Sequence, residues 1–105
     1  MIEGFLTYLR SEKRYSELTV RAYGDDIRQF VLFCCGVTAP PTPEEEADIL
    51  RSFDPTLSEG NDLRGWIMHL TGTKNLSARS VNRKISSVKS LYRYLRKKGI
   101  VAGDP

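Results

Sequence analysis

Apolar side chains recur along this chain at helical spacing, and no run alternates as a half-buried strand would. Ile2, Phe5, Leu6 and Leu9 share one face of a short helix predicted over residues 1–12. Val20, Tyr23, Ile27, Phe30, Val31 and Cys34 form the next stripe, over residues 17–35, with Ser16 or Thr19 as N-cap and Gly36 as the left-handed stop. Leu63, Trp66, Ile67 and Leu70 predict a third helix over 60–71, capped by Ser58 or Asn61 and ended by Gly72. Trp66, the bulkiest apolar side chain, is expected in the core. The longest element follows the Ser77 cap: Val81, Ile85, Val88, Tyr92 and Leu95 hold one stripe through residues 78–98, about 31 Å of helix, with Gly99 at the stop.

The connection over residues 37–57 is long for a small bundle. Thr42, Pro43 and then Glu44, Glu45 and Glu46 read as an N-cap, a first-position proline and a first turn of carboxylates favoured by the helix dipole. With Ile49, Leu50 and Phe53 behind them, they predict an extra short helix over 43–53. The fold class expected is therefore all-α: a four-helix orthogonal bundle with one additional short helix between its second and third members.

Charge changes this picture because it is segregated. Residues 1–36 carry five basic and five acidic side chains, residues 37–63 one and seven, and residues 64–105 ten and one, Asp104. The formal net charge of +3 conceals a strongly basic last segment that attracts polyanions. An ordinary solvated helix could carry the same charge, so its arrangement matters. At 100° per residue, Arg79, Ser80, Arg83 and Ser87 span an arc of about 100°, roughly opposite the Val81, Ile85 and Tyr92 stripe. Small hydroxyls let a helix axis approach a duplex, while arginine can bridge phosphates or take the guanine edge in the major groove. The second helix offers a smaller surface: Thr19 at its N-terminus suits a phosphate oxygen, and Arg21 and Arg28 point away from the core, although Asp25 lies beside them.

These residues also carry a resemblance. Tyr15-Ser16-Glu17-Leu18-Thr19-Val20-Arg21-Ala22-Tyr23 followed by Asp26-Ile27 and Phe30, then Leu63-Arg64-Gly65-Trp66-Ile67, then Ser77-Ala78-Arg79-Ser80-Val81-Asn82-Arg83-Lys84-Ile85-Ser86-Ser87 with Leu91-Tyr92 and Gly99, resembles the N-terminal core-binding, SAM-like domain of Xer-type tyrosine recombinases and phage integrases. The likeness covers nearly the whole chain apart from residues 37–60. It implies a DNA-binding arm that clamps duplex DNA, with its second and last helices on the major groove. Carried over, the contact positions fall on Thr19, Arg21, Arg79, Ser80, Arg83 and Ser87; Arg28 and Lys84 complete the candidate DNA-binding set. Two departures stand out: the acidic insertion after Gly36, expected to face away from a duplex, and Gly24 with Asp25, which make the second helix less basic than in many relatives.

The resemblance further implies that strand cleavage through a phosphotyrosine belongs to a C-terminal catalytic domain, so that this chain, with residues 101–105 starting a linker, is expected to hold DNA without cutting it. Tyr8, Tyr15, Tyr23, Tyr92 and Tyr94 show no Arg/His constellation in their spacing, and Tyr23 and Tyr92 read as core. His69 lacks a partner in metal-ligand spacing, and the adjacent Cys34 and Cys35 read as buried or half-buried thiols, so no metal or cofactor is expected. No apolar run approaches a membrane span and the N-terminus lacks a leader pattern, so a cytoplasmic protein is expected; separately, the isolated chain is expected to be a monomer. Neighbouring recombinase protomers are expected partners of a full-length parent, through the first helix. A helical interaction module whose basic helix docks an acidic partner, or its own segment 44–54, stays open on composition. A helix-turn-helix is disfavoured by the connection over 71–76, longer than that motif's tight turn.

Overall fold

The computed structural model describes residues 2–37, 39–55 and 60–100, the side chains of Gly60 and Asn61 excepted. Five α-helices, and no strand among the described residues, follow in order: α1 (Ile2–Ser11), α2 (Glu17–Cys34), α3 (Pro43–Ser52), α4 (Gly60–Met68), a π-helical continuation (His69–Thr73), and α5 (Ala78–Lys97). The four expected bundle helices are α1, α2, α4 and α5, and α3 is the additional short one. Of the possible α4 caps, Ser58 and the side chain of Asn61 lie outside the described residues, as do residues 101–105.

Helix starts follow side-chain chemistry. Ser16, rather than Thr19, caps α2: its Oγ accepts from the Thr19 amide at 3.2 Å. Thr42 and Glu45 close a reciprocal capping box on α3, and Ser77 caps α5 through the Ser80 amide. Two helices stop at glycine. Gly36 and Gly99 take φ of 73° and 75°, and bonds from Val37 N to Leu32 O and from Ile100 N to Leu95 O complete the same motif at both ends.

Gly72 does not end α4. The backbone widens into the π-helical turn, with Lys74 N on His69 O at 3.0 Å, and the left-handed residue is Asn75 at φ 53°. Asparagine tolerates that conformation, which removes the need for glycine. Arg14, at φ 55°, ends α1 in the same wide fashion, with Tyr15 N bonded to Leu9 O.

One apolar cluster unites the elements. Ile2, Phe5 and Leu9 of α1, Val20, Ile27, Phe30 and Val31 of α2, Trp66 and Leu70, and Val81, Val88, Leu91, Tyr92 and Leu95 of α5 are all buried. Trp66 packs edge-on to Phe30, their ring centroids 5.3 Å apart. Helix α2 touches each of the other four helices and packs most extensively on α5. Tyr92 reaches past the core to donate to Pro55 O at 3.0 Å, whereas Tyr23 is only half-buried. Cys34 is half-buried; Cys35, which caps the end of α2, is exposed rather than sheltered.

Candidate nucleic-acid interface

Where α2 crosses α5, the contact is polar. Asp26, on the inner side of α2, is 1% exposed. Its Oδ1 accepts from Lys84 Nζ at 3.0 Å and Arg83 Nη2 at 3.2 Å, and its Oδ2 accepts from Ser87 Oγ at 2.8 Å. Lys84 Nζ also donates to Gln29 Oε1 at 2.7 Å. A carboxylate can be buried at this depth only because cations and a hydroxyl occupy its lone pairs. Among the described residues, every such buried side-chain polar atom has a partner.

This cluster changes which side of α5 faces outward. Lys84 and Ser87, expected on the DNA-binding surface, are 7% and 1% exposed and point into the protein. The buried arc of α5 therefore runs from Ser87 through Leu91, Lys84, Leu95 and Val88 to Val81 and Tyr92. With 100° per residue, the exposed face lies roughly 70° from the one the apolar stripe alone indicated. Arg79 and Arg83 remain on it, and Asn82, Ser86, Lys89 and Arg93 join them, all exposed. Periodicity missed those four because it counts only apolar residues as core; the one available signal was Asp26, an acidic residue among apolar neighbours of α2.

The other expected positions divide. Thr19 and Arg21 are exposed on the first turns of α2, with Thr19 Oγ1 3.0 Å from Ser16 Oγ. Ser80 is half-buried and accepts from Ser77 Oγ at 3.2 Å. Arg28 is already paired: with Asp25 one turn before it, and with Glu46 of α3 at 3.6 Å. The acidic helix α3 thus packs on α2, with its Glu46 paired to Arg28.

Between the first half of α2 and the first half of α5 lies an open cleft of about 400 Å³, lined by Leu18, Thr19, Ala22, Tyr23, Asp26, Arg83, Ser86 and Ser87. Asp26 and Ser87 form its floor, Thr19 and Ser86 offer hydroxyls, and the Arg83 side chain is 62% exposed at one wall. Leu18 stands at the mouth, 77% exposed. Tyr23 closes one end, stacked on Tyr15 with centroids 5.7 Å apart. Burial first, and the neighbouring Tyr15 second, push its phenol above the ordinary value. A second cavity, about 720 Å³ and lined in part by Lys84, opens between α2 and the π-helical turn, where His69 packs on Phe33 at 5.3 Å. No helix among the described residues is long and apolar enough to cross a membrane.

The family model for the phage integrase N-terminal SAM-like domain matches residues 1–100. Similar relatives include tyrosine recombinase XerC of Leptospira interrogans, 31% identical over 96% of this chain and 28% of its own length. Tyrosine recombinase XerC of Chlorobaculum parvum is 34% identical over 99% of this chain and 29% of its own. Tyrosine recombinase XerD of Listeria monocytogenes is 33% identical over 100% of this chain and 31% of its own. The chain spans less than a third of the length of these relatives. No solved structure matches it.

Proposed function

The chain belongs to the family of phage integrase N-terminal SAM-like domains, and from that premise we propose that it is the DNA-gripping arm of a site-specific tyrosine recombinase, laying α2 and α5 against the major groove of a duplex. The observation that carries the reading is the outward face of α5. Arg79, Arg83, Lys89 and Arg93 are exposed there, interleaved with Asn82 and Ser86, and no acidic residue occurs anywhere in α5. Positive side chains separated by short polar ones suit phosphate contact and close approach to base edges. Thr19 and Arg21 extend the surface onto α2, and Ser80 flanks Arg79 at the start of α5. Lys84 and Ser87 act one step back, by holding Asp26 and through it Arg83, and Arg28 serves to dock α3. The carboxylates of α3 lie against α2, where Arg28 meets Glu46.

This reading assigns the chain binding rather than cleavage. Its tyrosines are engaged in packing: Tyr8 and Tyr94 with each other, Tyr15 and Tyr23 in a stack, and Tyr92 on Pro55. Strand exchange, with neighbouring recombinase protomers as partners, would belong to a whole recombinase in the cytoplasm.

Fluorescence anisotropy against a labelled duplex of roughly 30 base pairs tests the proposal. Raising salt from about 50 to about 200 mM should weaken binding roughly tenfold for two phosphate contacts and roughly 100-fold for four. Arg79→Ala/Arg83→Ala should abolish it with the helical circular dichroism intact, since Asp26 keeps Lys84 and Ser87. A folded chain that binds no duplex even at low salt would overturn the reading in favour of a protein-interaction module.

A further inference from the structure

We propose that the α2–α5 cleft recognises thymine through its 5-methyl group, and that Leu18 is the side chain that makes the contact. The inference rests on the DNA-binding reading and deepens it from phosphate attraction to base choice. Four large apolar side chains are exposed among the described residues: Tyr15, Leu18, Met68 and Ile100. Met68 lies at the end of α4, Ile100 follows α5, and Tyr15 is stacked on Tyr23. Leu18 alone stands at the mouth of the cleft between the two helices that carry the basic surface.

Its setting is suited to a base edge rather than to a helix or a charged ligand. Ala22, one turn along α2, continues the apolar wall, and the remaining rim is made of the short side chains Thr19 and Ser86 and the guanidinium of Arg83. The floor neither repels nor attracts strongly, because the Asp26 charge is met by Lys84 and Arg83 and both its oxygens already accept hydrogen bonds. Arg83 on one wall supplies a phosphate or guanine contact that brings the duplex down onto Leu18. Of the groups displayed in the major groove, the thymine methyl is the one apolar protrusion, and no minor-groove feature substitutes for it.

The test compares two alternating A·T duplexes of roughly 30 base pairs, identical except that one carries deoxyuridine in place of every thymidine. Removing the methyl leaves base-pair hydrogen bonding intact. The chain should prefer the thymine duplex by about fourfold for one buried methyl. Leu18→Ala should reduce that ratio to near one while keeping the salt dependence, and Leu18→Met should retain it. Because each variant meets the same two duplexes, a difference in DNA shape cannot produce a side-chain-dependent ratio. Equal affinity of the unsubstituted chain for both duplexes, with binding still salt-sensitive and lost in Arg79→Ala/Arg83→Ala, would overturn thymine recognition and leave the DNA-binding reading standing. An undiminished ratio in Leu18→Ala would overturn the role of Leu18. Failure to bind either duplex would remove both readings together.

Discussion

Replacing Asp26 by alanine should be among the most damaging single changes to this fold. The substitution leaves the Lys84 ammonium buried, with its side chain 9% exposed and Gln29 Oε1 as its remaining bonded partner. Ser87 retains only its bond to Arg83 O at 3.2 Å. Arg83, largely in solvent, loses little by itself. An uncompensated buried charge costs about 3–5 kcal/mol, against a total stability of about 5–15 kcal/mol for a domain of this kind. Urea unfolding followed by circular dichroism gives the loss directly. The same physics predicts that the charge, and not the hydrogen-bond count, dominates. Asp26→Leu combined with Lys84→Met should recover most of the loss, because exchanging a whole buried pair for apolar groups is often close to neutral. A double-mutant cycle measures this coupling. Should Asp26→Ala cost less than about 1 kcal/mol, or should Lys84→Met add to the damage instead of offsetting it, the account of the cluster as a buried ion pair would be wrong.

Other perturbations separate local from global effects. Thr42→Ala removes the α3 cap at a cost of about 1 kcal/mol. Because α3 has no fully buried residue, this should appear as faster amide exchange over residues 43–52 with little change in the global unfolding midpoint. The Glu45 carboxyl is held below its ordinary value, first by the Thr42 backbone amide and then by the Thr42 side chain. A depressed folded value means that the cap is at full strength above the ordinary carboxylate range and is lost as pH falls through the Glu45 titration. A carboxyl titration by NMR in which Glu45 shows no depression below the ordinary glutamate value would contradict it. Gly36→Ala meets no atom within 4 Å but must adopt φ of 73°, so about 1–2 kcal/mol of pure backbone strain is expected in thermal unfolding. An unchanged melting temperature would refute the left-handed stop.

Much of the architecture was legible as spacing. Ile2, Phe5 and Leu9 lie one or two turns apart and are buried together; Thr42, Pro43 and the glutamates after them spell a helix start, and α3 starts there; Gly36 and Gly99 stop helices where left-handed backbone is needed. These are interactions between near neighbours in sequence, so their geometry is set by the helix itself. The end of α4 was misjudged for the complementary reason. Glycine is sufficient for a left-handed stop but not required: the chain runs past Gly72 in a wider turn and takes the left-handed conformation at Asn75.

The proposed binding surface divides along the same line. Arg79 and Arg83 could be named from α5 alone, because their distance from Val81, Val88 and Leu95 around one helix is a matter of periodicity. The burial of Lys84 and Ser87, and with it the outward turn of Asn82, Ser86, Lys89 and Arg93, depends on Asp26, which is 58 residues from Lys84 and 61 from Ser87 in the chain. Local pattern registers an aspartate, a lysine and a serine as polar and assigns each to solvent. Only the crossing of α2 over α5 brings these groups to hydrogen-bonding distance, where satisfying one another becomes the alternative to hydration, and that long-range pairing decides how the basic helix is rotated and which of its side chains face outward.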